Sequence, residues 1–306
     1  MAVGYDDLVT IRLPLGLAPL DIATTVLPLR QGTADPTMRV ASGHVWRALH
    51  TAQGPATLHL RVDGHELVAA AAGPGAEAAL ALAPRLAGLD DDPSALRPLH
   101  PAVRDASHRN PGLRLTAGTA IVDALVWVVL AQKVVGLDAR RAYRDLVHRL
   151  GEPAPGDARL LLPPLPEVLA ATPYWTFHEC NVERRRAGVV IEAARRPSAL
   201  NRLAGVSAAL ARERLMTLPG IGAWTAAEVT AVSHGDPDAV PLGDFHLPNV
   251  VANALAGEPR GDDDRMLELL EPYRGQRGRV IRLLMSGGRG APRWGPPMPR
   301  RNISRL

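Results

Sequence analysis

Apolar and polar positions follow two different rhythms along this chain. In the first seventy residues the apolar runs are short and alternating: LVTIRL, GHVWRAL, ATLHLRV and HELVAAA. Such runs predict strands, and the Asp63-Gly64 pair between the last two predicts an antiparallel hairpin. GAEAALALAPRLAGL then predicts a helix, and the acidic, proline-containing DDDPSALRP a connector. Beyond it the spacing becomes helical. TAIVDALVWVVLAQKVVGLDARRAYRDLVHRL predicts two helices broken near Gly136, with Asp138 capping the second. Proline-rich LLLPPLPEVL leads into another helix, VERRRAGVVIEAARR is amphipathic, and PNVVANAL starts a helix with Pro248 in its first turn. The expected fold is mainly α with an N-terminal α+β domain. An antiparallel sheet domain over 1–97 precedes helical domains over 98–290, and an Arg/Pro-rich tail occupies 291–306.

Composition narrows this picture. A hydrophobic content of 46% over 306 residues can supply two or three ordinary cores. No stretch approaches the roughly 18 to 20 apolar residues of a membrane span, and MAVGYDDLVT lacks a basic-then-apolar leader. A cytoplasmic monomer without a membrane partner is expected. The single cysteine, Cys180, excludes a disulfide framework and a four-thiolate cluster within one chain. His178, His234 and His246 lack the spacing of a side-chain metal site.

Net charge is only +4, but from Pro272 to Leu306 there are nine arginines and no acid, and Lys133 is the sole lysine. Arginine's planar fork suits phosphate, while a merely solvated surface is equally consistent with the charge. Arg274, Arg277, Arg279 and Arg282 are the candidates for backbone contacts to nucleic acid.

The most informative stretch is LPGIGAWTAAEVTAVSHGDPDAVPLGDFHLPN, residues 218–249. Ser207 is placed to cap a helix that Pro219 stops. Gly220 and Gly222 permit positive φ and leave backbone N–H groups uncovered where a second helix begins. Those groups and the helix dipole form a phosphate site through Gly220, Gly222, Ala223 and Thr225, although a plain αα-hairpin needs the same glycines.

LPGIGAWTA followed by PLGDFHLPN resembles the helix-hairpin-helix plus Gly/Pro-Asp signature of the DNA glycosylase superfamily, in its DNA-3-methyladenine glycosylase II branch. NPGLRLTAGTAIVDALVWVVLAQKVV and NVERRRAGVVIEAA resemble further segments of that branch. The resemblance implies hydrolysis of an N-glycosidic bond in damaged double-stranded DNA after base flipping, in base excision repair. It makes Asp244 the catalytic carboxylate against the oxocarbenium-like sugar; capping a helix is the alternative role. Trp224 stands where relatives with lyase activity place a Schiff-base lysine, so a monofunctional enzyme is expected.

By the same resemblance, Trp224, Phe245, Glu228 and Tyr273 line the base pocket, and Gln132 and Lys133 enter the gap left by the flipped base. Core packing remains open for Trp224 and Phe245, and a solvated cation for Lys133. Glu228 either meets the purine or is an ordinary solvent-facing acid, the commoner role. No cofactor is required. A Na+ or K+ ion is implied at the hairpin on the carbonyls of Met216, Leu218 and Ile221. DNA binding would associate the protein with the nucleoid. The alternatives are a silent binder of damaged DNA, or a glycosylase for oxidised or deaminated bases.

Overall fold

The computed structural model describes residues 9–16, 18–157, 159–286 and 303. Its N-terminal part is one antiparallel sheet with strand order β1-β5-β4-β3-β2. The strands are β1 (Val9–Pro14), β2 (Met38–Ala41), β3 (His44–Thr51), β4 (Gly54–Asp63) and β5 (Glu66–Ala72). The register pairs Leu58 with Ala71 and Leu60 with Ala69, which places these apolar residues on one buried face. The opposite face carries stacked Trp46 and His59, with Arg39 over the Trp46 ring. The hairpin between β4 and β5 turns at Gly64-His65, one residue later than expected, with Gly64 at φ +59°. Strand β2 was not expected; it joins β3 through Ser42 and Gly43, both at positive φ, which matches the twist of a tight hairpin.

A short α1 (Ile22–Val26) lies between β1 and β2, and α2 (Ala76–Leu86) packs on β4 and β5. The remaining helices are α3 (Pro101–Arg109), α4 (Ile121–Leu130), α5 (Gly136–Leu150), α6 (Pro166–Ala171), α7 (Tyr174–Glu179), α8 (Arg184–Ala194), α9 (Pro197–Asn201), α10 (Ala208–Met216), α11 (Ala223–Ser233), α12 (Leu247–Ala256), α13 (Asp263–Leu270) and α14 (Arg277–Ser286). Asp138 is not the cap of α5. The helix begins two residues earlier, at Gly136, and Asp138 is buried within its first turn.

Two apolar clusters divide the interior. The larger runs without interruption from the sheet through α2, α4, α5, α8, α10 and α11. The second joins α3, α12, α13 and α14. They are latched by charge: Arg279 of α14 pairs with Asp91 of the acidic connector, donating through Nη1 at 3.0 Å, and Arg282 donates to the Thr24 carbonyl of α1 at 2.6 Å. The tail assigned to 291–306 lies outside the described residues except Ile303.

Candidate active site

The hairpin forms as its residues dictate. Ser207 caps α10 by accepting the Leu210 N–H at 3.3 Å, and the chain leaves that helix at Met216. Gly220 has φ +87°, and a Cβ there would lie 2.4 Å from Val189 of α8, so backbone and packing both demand glycine. Gly222 departs from expectation. Its φ of −102° is extended, and a Cβ would meet nothing within 4 Å. Neither backbone nor packing demands glycine there. The first backbone acceptor bond of α11 is Ala226 N–H to Gly222 O, which leaves the N–H groups of Ala223, Trp224 and Thr225 without acceptors among the described residues.

Gln132 and Val189 brace this hairpin against its neighbours, and Arg186 ties α8 to the end of α4. The Gln132 amide donates to Gly220 O at 3.0 Å and to Thr225 Oγ1 at 2.9 Å. Arg186, buried on α8, donates to Leu130 O at 2.6 Å and so caps the C-terminal end of α4. Val189, one turn along α8 from Arg185, packs against Gly220. Gln132 is thus committed to the hairpin and is not presented as an inserting side chain. The exposed tip of the 131–135 turn is Lys133, held at φ +55°.

Asp244 sits across from the hairpin in the loop before α12. Gly243 gives the turn its φ of +86°. Asp244 Oδ1 accepts the N–H groups of His246 and Leu247 at 2.8 and 2.9 Å, while Oδ2 accepts the Trp224 indole N–H at 3.0 Å. Helix capping and carboxylate presentation therefore coexist in one side chain. The Trp224–Asp244 bond also bridges the two cores, because Trp224 packs on the larger cluster and Leu247 belongs to the smaller.

Several expected pocket residues fall elsewhere. Tyr273 is 3% exposed inside the second cluster, and its hydroxyl bonds His100 Nδ1 at 2.7 Å while accepting His100 N–H at 2.9 Å. It anchors α3 rather than lining a pocket. Phe245 is 75% exposed and meets only the edge of His246 among ring partners, so it stands outside any enclosed pocket. Glu228 is no ordinary solvent-facing acid. It is mostly covered, and burial followed by the nearby Asp244 charge pushes its carboxyl up to about 7, with Arg282 opposing the shift.

The arginines of the last helical region are also spoken for. Arg274 pairs with Glu271, Arg277 with Asp238, Arg279 with Asp91, and Arg282 with the Thr24 carbonyl. Arg184 and Arg185 are exposed on the first turn of α8, Arg184 over the Tyr174 ring, and make no ion pair among the described residues. The amphipathic period of α8 is the signal that separates them from buried Arg186.

The hairpin carbonyls fit the implied monovalent cation. Those of Met216 and Ile221 accept no backbone bond outside the helices, and that of Leu218, which accepts the Ile221 N–H at 3.1 Å, keeps a second lone pair. Among the described residues no group of three His, Cys, Asp or Glu side chains is placed to hold a metal, and no helix is long and apolar enough to cross a membrane.

No protein-family model matches the sequence. Over 167 residues, 53% of this chain, it is 29% identical to a Mycobacterium tuberculosis protein named probable bifunctional transcriptional activator/DNA repair enzyme AlkA. The chain spans only about a third of that relative, 34% of its length. A 3-methyladenine DNA-glycosylase from Archaeoglobus fulgidus has the same architecture, with a TM-score of 0.76 over 90% of this chain and 97% of that one at 17% identity. The likeness to that glycosylase is one of fold. An 8-oxoguanine glycosylase/lyase of Clostridium acetobutylicum, in complex with DNA, shares this fold at a TM-score of 0.69 and 13% identity, covering 89% and 92% of the two chains. The fold alone therefore selects no lesion.

Proposed function

We propose that the protein is a monofunctional DNA glycosylase that excises alkylated purines of the 3-methyladenine type from double-stranded DNA by hydrolysis. The observation that carries this reading is Asp244, whose Oδ2 is held by the Trp224 indole at 3.0 Å across from the hairpin. With the damaged nucleotide flipped out, this carboxylate faces the deoxyribose. As the C1′–N bond lengthens, positive charge develops on the sugar, and a fixed negative charge there lowers the barrier with no reorganisation at the moment of reaction. A purine already made cationic by alkylation leaves as a neutral base, so one carboxylate suffices.

The hairpin N–H groups of Ala223, Trp224 and Thr225 suit a DNA phosphate, and Lys133 at the tip of its turn suits the gap left by the flipped base. The hairpin cation would be bound by Met216, Leu218 and Ile221 and would add a positive charge for the same phosphate; no cofactor takes part in the chemistry. Trp224 fills the place of a Schiff-base amine. The sole lysine stands on the 131–135 turn, so the product is an intact abasic strand. A DNA repair enzyme is also what the name of the mycobacterial relative describes. The protein would work on DNA in the cytoplasm, at the nucleoid.

The test is release of free base from duplex DNA carrying 3-methyladenine or 7-methylguanine by the native protein and Asp244→Asn. The substitution keeps the Oδ1 cap and removes the charge, so release falls by about 10²-fold or more while folding and DNA binding persist. A folded, DNA-binding native protein that releases no base would make the chain a binder of damaged DNA instead.

A further inference from the structure

Glu228 lies one helical turn after Trp224 on α11, on the same face, so its carboxyl stands beside the indole that holds Asp244. Charged groups approach it from two other elements: Asp244 from the loop before α12, and Arg282 from α14. Arg282 lies mostly within protein, its guanidinium pushed down to about 10 by burial, and it spends Nη2 on the Thr24 carbonyl of α1. Glu228 itself makes no hydrogen bond or ion pair with any described residue. Partial burial without a hydrogen-bond partner, with a second carboxylate nearby, disfavours the charged form of this acid despite the opposing charge of Arg282. Such an arrangement is hard to explain as packing and is what a proton-carrying group requires.

We propose that Glu228 is a second catalytic carboxyl, the acid that protonates the departing base and so extends excision from cationic to neutral purines. This rests on reading the chain as a purine glycosylase. A neutral purine leaves as an anion unless a proton reaches it. The Glu228 O–H bond breaks and its proton goes to N7 of the base; the C1′–N9 bond breaks and its electron pair goes to N9, so the base departs neutral. Water adds to C1′ of the cationic sugar on the face that Asp244 occupies and gives up a proton to that carboxylate. The proton passes to solvent, and Glu228 takes one back from solvent. An alkylated purine needs the same bond cleavage and water addition but no proton from Glu228.

Single-turnover release of hypoxanthine and of 7-methylguanine from duplex DNA, between pH 5.5 and 8.5, tests the assignment in the native protein and in Glu228→Gln. Hypoxanthine release by the native protein depends on the acid form, so it declines as pH rises through about 7, approaching a tenfold loss per unit, whereas 7-methylguanine release does not. Glu228→Gln keeps size and hydrogen bonding but holds no transferable proton. It lowers the hypoxanthine rate at least about tenfold more than the 7-methylguanine rate and removes that decline with pH. Equal losses on both bases, an unchanged pH profile, or a native protein that releases 7-methylguanine but no hypoxanthine would overturn the role of Glu228. A native protein that releases neither base overturns the wider reading as well.

Discussion

Helices α8 and α14 carry arginines at similar density and use them in opposite ways. On α14 the guanidinium groups of Arg277, Arg279 and Arg282 turn inward to Asp238, Asp91 and the Thr24 carbonyl. On α8 only Arg186 turns inward, to the end of α4, while Arg184 lies over the Tyr174 ring and Arg185 stays exposed one turn from Val189, which packs on the hairpin. A run of positive charge therefore does not by itself mark a nucleic-acid surface. The deciding factor is whether acids and carbonyls distant in sequence are folded against it. Near α14 they are, and the helix becomes a latch between two cores; near the N-terminal turn of α8 they are not.

Removing a latch arginine should give the largest effect on this contrast. Arg279→Ala leaves Asp91 buried without its partner, and both are nearly inaccessible, so we expect a loss of about 3–5 kcal/mol in urea-induced unfolding. A loss below about 1 kcal/mol would mean that the pair adds nothing to the junction of the cores. Arg185→Ala should leave unfolding unaltered while weakening duplex binding a few-fold, and the plot of log affinity against log salt should flatten by about one unit. Unchanged salt dependence would remove α8 from the interface. The smallest effect belongs to Arg274→Ala. Its pairing with Glu271 is solvent-exposed, so both stability and DNA affinity should move by no more than about 0.5 kcal/mol.

The same contrast explains how much was legible in the sequence. Features carried by neighbours along the chain were read well: the alternating strands, the Ser207 cap, the glycine at 220 and the acid at 244. Strand β2 was missed because four residues, MRVA, hold too little alternation to register, and its Ser42-Gly43 turn is less distinctive than an Asn-Gly pair. Residues whose roles depend on remote partners were misplaced. Tyr273 looked like a pocket aromatic until His100, 173 residues earlier, claimed its hydroxyl. Glu228 resembled a solvated helix acid because nothing nearby in sequence announces that Asp244 and Arg282 will stand beside it. Gln132, expected to enter the DNA gap, sends its amide 88 residues forward to the hairpin instead.

The three hydrogen bonds on Asp244 make the side chain a joint between two bodies. One oxygen is fastened to the first turn of α12 and the other to the indole of α11. Any rotation of α12 against α11 must therefore swing the carboxylate or stretch one of its bonds. A displacement of either helix would reach the Asp244 oxygens directly through these bonds.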